Sequence, residues 1–131
     1  MAETFKFELV SPERLLMSAD VNSVKVPGDE GDFVVLPDHA PFMSTMRPGM
    51  VLIEADDGEH KYFVKGGFSQ VEDSGLTILA EESVEISELK GDRLQDEIAN
   101  ARKRLESTES DHAKRHESVL IDFLEEINLL H

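Results

Sequence analysis

The chain has 131 residues, of which 40% are hydrophobic and only 6% aromatic, and it contains neither Trp nor Cys. This length suits one compact domain with a small appendage, and the composition predicts an aliphatic core. The formal net charge of −15 repels nucleic-acid phosphates and anionic lipid headgroups, so it argues against nucleic-acid binding and direct bilayer insertion. A protein partner with basic patches is expected instead. Without cysteine, no disulfide framework and no cysteine metal site can form.

The beginning of the sequence does not have the pattern of a secretory signal peptide, because no charged segment leads into an apolar run. No stretch approaches the roughly 20 consecutive apolar residues that a membrane-spanning helix requires. We therefore expect a soluble chain that does not insert into a bilayer by itself.

Residues 4–86 have the pattern of short β-strands separated by turns. Phe5, Phe7 and Leu9 alternate with charged residues, and this period of two indicates a half-buried strand. Alternation and short apolar runs predict further strands at residues 24–26, 33–36, 50–55, 61–65, 68–72 and 76–81. Asp57-Gly58 is a strong hairpin signal, since glycine accepts a positive φ. Short strands with turns about every eight to twelve residues predict an all-β sandwich or barrel.

The period changes from two to that of a helix at about Ser87. Apolar residues then recur at helical spacing in two stripes, Leu94, Ile98, Ala101 and Leu105, followed by Ala113, Leu120, Leu124 and Ile127. Polar residues separate the stripes, and Thr108 precedes Asp111 at the spacing of a capping box. The pattern predicts an antiparallel hairpin of two helices. Because such a pair buries a single seam, we expect it to lean on another part of the molecule.

The change of period predicts a domain boundary between residues 87 and 88. Residues 1–87 carry 17 acidic and 6 basic side chains, a net charge of −11, whereas residues 88–131 carry 11 and 7, a net charge of −4. The first segment has its own alternating core, so we expect it to fold alone.

Several motifs resemble, in order, the signature of the epsilon subunits of F-type ATP synthases. The longest is VPGDEGDFVVLPDHAPF at residues 26–42; the others are ELVSPE at 8–13, RPGM at 47–50, GGF at 66–68 and LTILAE at 76–81. The ordered set spans nearly the whole chain. The resemblance implies an N-terminal antiparallel β-sandwich followed by a C-terminal antiparallel two-helix hairpin. It also implies a non-catalytic rotor subunit of the central stalk, without a cofactor.

The resemblance further implies partners and contact residues. In this family the sandwich binds the gamma subunit and sits on the c-ring, and the hairpin folds onto the sandwich or extends towards the α/β catalytic head. Glu30 and Asp32 are then expected to face polar loops of the c-ring. The His39-Ala40-Pro41 loop is expected to face gamma, and Met50 is a further expected contact. The implied location is peripheral, on the cytoplasmic side of a bacterial inner membrane.

The same motifs also have plainer interpretations. Residues 29–32 have the composition of a solvated hairpin turn, and His39, held between two prolines, that of a turn histidine bonded to backbone. His112 and His116 are one helical turn apart, a spacing that can bind zinc, but without a third ligand they are interpreted as solvated. The basic triplet at residues 102–104 is interpreted as a solvated face, with contact to the catalytic head as the alternative.

Two other functions compete with the rotor subunit. Some family members bind ATP through Ile/Leu-Asp-x-x-Arg-Ala at the start of the hairpin, where this chain has LKGDRL at residues 89–94. Lys90 and Leu94 depart from that motif, so we predict poor ATP binding. If the chain is instead a nucleotide-sensing regulator, Arg93 and Arg115 are its candidate phosphate contacts. A small hydrolase centred on His39 would need an oriented nucleophile, which the sequence does not reveal.

Overall fold

The computed structural model describes residues 3–130. Within that range ten strands precede two α-helices. The strands are β1 (Phe5–Val10), β2 (Leu15–Val21), β3 (Ser23–Gly28), β4 (Gly31–Val35), β5 (Phe42–Met46), β6 (Gly49–Ala55), β7 (Gly58–Val64), β8 (Gly67–Glu72), β9 (Gly75–Ala80) and β10 (Ser83–Glu85). A 3₁₀ turn (Ile86–Glu88) leads to α1 (Gly91–Ser107) and α2 (Asp111–Leu130). None of the helices in this range is both long and apolar enough to cross a bilayer.

The strands form one curled sheet in the order β10-β7-β6-β3-β5-β8-β9-β1-β2, with β4 paired to β3. Among residues 3–130 the strand pairs are antiparallel except β1 and β9, which run side by side in parallel. The inner faces enclose an aliphatic core that includes Phe7, Leu9, Val24, Ile53 and Ile78. The predicted β-sandwich with a C-terminal helical hairpin is confirmed.

Three strands, β2, β5 and β10, were not predicted from the sequence, because few of their residues are buried. In β2 only Val21 is fully buried, and in β5 only Met46, so neither strand shows the alternation of a half-buried strand. β10 has three residues, too few for any period to appear. By contrast, Phe5, Phe7 and Leu9 of β1 are all buried, as predicted.

The hairpin packs against the sandwich through a second apolar core. Its buried members from the sandwich side are Phe63 of β7 and Val84 of β10, together with Leu89 before α1. The helices contribute Leu94, Ile98, Ala101, Leu120, Ile121, Leu124 and Ile127. The rings of Phe63 and Phe123 stack with centroids 5.2 Å apart and planes 10° from parallel. The hairpin therefore lies folded against the sandwich, as expected of two helices that bury only one seam between themselves.

Polar contacts of Lys65 add to this docking. Its ammonium group lies 2.6 Å from Glu97 of α1 and 2.9 Å from Glu82, and its carbonyl oxygen accepts a hydrogen bond of 2.9 Å from His116 Nε2 of α2. Burial alone would lower the pKa of Lys65, but hydrogen bonds and charge attraction from the two carboxylates raise it overall. The expectation that His116 is solvated is wrong, because this ring joins α2 to the sandwich.

The loop between the helices differs from its sequence prediction. The N–H of Thr108 donates to Arg104 at 3.0 Å and so ends α1, and Ser110 Oγ accepts from the N–H of Ala113 at 3.3 Å. Ser110 rather than Thr108 therefore caps α2, because that helix begins two residues later than the capping-box pattern placed it.

The basic triplet is not simply a solvated face. Arg102 forms an ion pair with Glu125, and Arg104 Nε lies 2.9 Å from the buried carboxylate of Glu117. Two of its three cations thus join α1 to α2, which the sequence could not indicate because their partners are 13 and 23 positions away.

Candidate partner-binding surfaces

The acidic loop at residues 29–32 is the turn of the β3–β4 hairpin. Gly28 pairs with Gly31, whose φ of +139° suits glycine. Asp29 is held in place twice, because its N–H donates to the carbonyl of Thr45 at 3.1 Å and its carboxylate accepts from the Thr45 hydroxyl. The loop is therefore anchored to β5 rather than hanging free.

Asp32 has partners within the chain. It forms ion pairs with Arg47 and, at 3.6 Å, with Lys25. Partial burial acts to raise the pKa of Asp32, but hydrogen bonding and attraction from Arg47, aided by Lys25, lower it overall. The same Arg47 donates through Nη1 to the carbonyl of Gly28 at 2.5 Å. Arg47 thus holds both ends of the turn, and the charge of Asp32 is largely compensated.

Glu30 is the acidic side chain of the loop that remains available. It is exposed at the tip of the turn and makes no ion pair or side-chain hydrogen bond with residues 3–130. A shallow cavity of about 640 Å³ joins this tip to Phe42 and Met43 of β5. The structure therefore distinguishes Glu30 from Asp32, which their positions in the sequence do not.

His39 is a turn histidine bonded to backbone, as its sequence context predicts. Its Nδ1 lies 2.8 Å from the carbonyl oxygen of Leu36, and its Nε2 contacts the carbonyl oxygen of Glu72. The ring also meets Phe5 edge-on, with centroids 5.3 Å apart. Because both ring nitrogens face backbone carbonyl oxygens, neither points at a nucleophile, and this geometry gives no support to a hydrolase centred on His39.

An apolar face lies beside this histidine. It consists of Val34, Leu36, Phe42 and Met43, each more than half exposed, and we refer to it as the apolar face. A cavity of about 380 Å³ in this surface is also lined by His39 and Ala40, and exposed Pro41 immediately precedes Phe42. The structure thus brings the predicted loop at residues 39–41 next to β4 and β5.

Met50 lies beneath the hairpin. It lines a cleft of about 360 Å³ between the sandwich and α2, together with Phe123 and Glu126. Asp32 lines this cleft as well as the cavity at the acidic loop, so it connects Met50 with the contact residues around the apolar face.

Arg93 and Arg115 stand at opposite ends of the hairpin. Gln95 bonds to Asn128 at one end and Arg104 pairs with Glu117 at the other. At 1.5 Å per residue, this places the two arginines roughly 20 Å or more apart, too far to hold one phosphate together. Among the residues that the structure describes, no three His, Cys, Asp or Glu side chains cluster as metal ligands.

These surfaces place the molecule among proteins that bind other proteins. The molecule is a β-sandwich with an apolar, acid-bordered face and a docked helical hairpin, the features of a subunit that binds other proteins.

Comparison with known proteins identifies the family. Residues 4–86 match the family described as ATP synthase, Delta/Epsilon chain, beta-sandwich domain. The chain is 41% identical to the ATP synthase epsilon chain of Maricaulis maris, covering 92% of this chain and 91% of that one. It is 42% identical to that of Parvibaculum lavamentivorans, covering 97% of each. The chain belongs to the ATP synthase delta/epsilon family, and the prediction of a non-catalytic subunit is confirmed by this membership.

Solved structures show the same fold at lower identity. A chain in the mitochondrial ATP synthase of Euglena gracilis aligns with a TM-score of 0.74 and 22% identity, over 98% of this chain and 82% of that chain. A chain in the central stalk and c-ring of the Tetrahymena thermophila mitochondrial enzyme aligns with a TM-score of 0.69 and 11% identity, over 95% and 96%. Both likenesses extend over the sandwich and the hairpin together.

Proposed function

We propose that this protein is a central-stalk rotor subunit that couples rotation of the c-ring to ATP synthesis through gamma. The observation that carries the proposal is the apolar face bordered by the free carboxylate of Glu30, in a chain of this family. Its location is then peripheral, on the cytoplasmic side of a bacterial inner membrane, where the membrane sector holds the c-ring.

The apolar face suits gamma. Four large apolar side chains exposed together on one surface cost free energy in water, and a partner that covers them recovers it. Phe33 packs edge-on against Phe42 with centroids 5.2 Å apart, so the ring at the centre of the face is already held in place. A pre-positioned aromatic ring is the kind of side chain on which interface energy concentrates.

Binding of gamma tests this assignment. We expect Phe42→Asp in the full chain to weaken co-purification with gamma at least about tenfold, because it places a charge at the centre of the apolar face. The matched control is Leu15→Asp on β2, a leucine of similar exposure, 53% against 52%, outside the apolar face. Unchanged binding of the Phe42 variant, or an equal loss in the Leu15 variant, would count against the proposed gamma surface.

The acidic tip suits the c-ring. We propose that Glu30, rather than the internally paired Asp32, meets basic or amide groups of the c-ring loops. We expect Glu30→Lys to weaken association with the c-ring about two- to tenfold at low salt, since an exposed charge contributes modestly at an interface. Asp56→Lys, on the β6–β7 turn, makes the same change of net charge at another exposed acid. If both variants weaken association equally, total charge and not the acidic tip is responsible.

We further propose that residues 1–87 form the gamma- and c-ring-binding domain and that the hairpin is at most a weak brake on ATP hydrolysis. Residues 111–131 carry a net charge of −3, and Arg102 and Arg104 are already paired to α2. The family resemblance implies that an extended hairpin meets an acidic stretch of a catalytic β subunit, and an acidic helix is repelled there. The last turn of α2 also contains no Lys or Arg whose positive charge would interact favourably with the negative, C-terminal end of the helix dipole.

Truncation after residue 87 tests both halves of this proposal. The truncated protein is expected to bind gamma as the full chain does, because the sandwich core is closed within it. It is expected to change the ATPase activity of the assembled head by less than about twofold at low salt, because the removed arm is acidic. Phe63 and Val84 become exposed, so reduced solubility is expected. Severalfold activation, or an unfolded fragment, would contradict the proposal.

Nucleotide sensing stays the second candidate function. Arg115 lines a basic cavity, but Arg93 is exposed at the far end of the hairpin and does not share it. The departures at Lys90 and Leu94 therefore still predict poor ATP binding through the hairpin motif.

A further inference from the structure

A cavity of about 280 Å³ between the sandwich and the start of α2 has an unusual charge for this molecule. It is lined by Asp29, Arg47, Pro48, His112, Arg115, His116 and Val119. Two arginines and two histidines face a single carboxylate there, in a chain whose formal net charge is −15 with histidine counted as neutral. Cationic side chains from the sandwich and from α2 thus meet in one small space, which is the electrostatic requirement for an anion site.

Of the four basic side chains, Arg47 and His116 are held by partners within residues 3–130, and His112 and Arg115 are not. Arg47 is held by Asp32 and by the carbonyl of Gly28, and His116 is held by the carbonyl of Lys65. Arg115 makes no ion pair or side-chain hydrogen bond with residues 3–130. A guanidinium group presents parallel N–H donors that match the oxygens of a phosphate, so Arg115 is free to supply the main contact.

Asp29 gives the cavity its selectivity between anions. One oxygen of its carboxylate accepts a hydrogen bond from the Thr45 hydroxyl, and the side chain lines the same cavity. A carboxylate beside the site repels an oxyanion that has no proton, such as sulfate, because two acceptors would face each other. Inorganic phosphate keeps at least one proton at neutral pH, and its hydroxyl can donate to the second carboxylate oxygen of Asp29.

We propose that this cavity is a binding site for inorganic phosphate, held by Arg115 with support from Arg47 and His112 and selected by Asp29. The volume of about 280 Å³ is large enough to admit a tetrahedral oxyanion together with bound water, so the choice of ligand rests on the lining side chains. The site differs from the hairpin motif at residues 89–94, which lies at the other end of the helices. It shares no residue with the apolar face assigned to gamma, and it adjoins the acidic tip because Asp29 is the chain neighbour of Glu30.

The test is an NMR titration of the purified full chain with sodium phosphate and, separately, sodium sulfate at neutral pH and constant ionic strength. We expect saturable phosphate binding with a dissociation constant on the order of millimolar, as befits one open site with few contacts. Sulfate should bind at least about tenfold more weakly, because it leaves Asp29 facing an unprotonated oxygen. Arg115→Gln should weaken phosphate binding at least about fivefold, whereas the matched control Arg93→Gln should leave it unchanged.

Asp29→Asn separates this site from a general basic patch. The amide can donate where the carboxylate could only accept, so sulfate should then bind as well as phosphate. Equal binding of the two anions by the unaltered chain, no saturable phosphate binding, or equal losses in the Arg93 and Arg115 variants would overturn the proposal. Micromolar ATP binding that is lost in Arg115→Gln would assign the cavity to a nucleotide instead and would also overturn it.

Discussion

Replacing Gly67 with alanine is expected to lower the free energy of unfolding by more than about 3 kcal/mol, because two effects act together. Gly67 has a φ of +136°, which a residue with a Cβ adopts only under strain. A Cβ at this position would also lie 2.1 Å from the carbonyl oxygen of Leu79 and 3.0 Å from the Cα of Ala80. Both atoms are backbone of β9, to which β8 is paired, so the strands would have to separate.

Gly31→Ala is the matched control for the Gly67 substitution. Its φ of +139° is nearly the same, but no atom lies within 4 Å of the added Cβ. It therefore carries only the backbone strain, about 1–3 kcal/mol. Urea unfolding of both variants, followed by circular dichroism, measures the difference. Equal destabilisation would show that strain alone, and not the contact with β9, explains why glycine stands at residue 67.

The sequence predicted those parts of the fold whose residues repeat with a period. Phe5, Phe7 and Leu9 alternate because one face of β1 meets the core, and Leu94, Ile98 and Ala101 recur because one face of α1 does. β5 does not show this period. Its residues Phe42 and Met43 are apolar but exposed, and a strand with exposed apolar residues cannot be recognised from alternation.

The candidate surfaces were predicted less completely than the fold. A sequence places Glu30 and Asp32 two positions apart, but only the fold brings Arg47 to one of them and leaves the other free. The hydrogen bond between His116 and the carbonyl of Lys65 likewise joins residues 51 positions apart, which no local spacing can reveal. The stacking of Phe63 on Phe123 has the same origin, since residues distant along the chain meet only once the hairpin folds back.

Leu124→Ala is expected to lower the free energy that holds the hairpin on the sandwich by about 2–5 kcal/mol, the usual loss of stability when a buried leucine becomes alanine. Leu124 is fully buried among the side chains that join α1, α2 and the sandwich. Leu129→Ala in the same helix is the control, because Leu129 is 85% exposed and should lose almost nothing. Hydrogen exchange of the helical amides measures the change, and protection should fall about 30-fold or more in the Leu124 variant alone.

The same variant separates release of the hairpin from inhibition by it. A hairpin held by weaker packing leaves the sandwich more often, so a brake that acts in the released state should become stronger in Leu124→Ala. The released α2 still carries its net charge of −3 towards any acidic stretch of the catalytic head. We therefore expect ATPase activity of the assembled head to change by less than about twofold, even though exchange shows that the hairpin is freed. Strong inhibition by the loosened variant would show that apolar contacts with the head outweigh charge repulsion, and protection equal to that of the unaltered chain would show that Leu124 does not hold the hairpin in place.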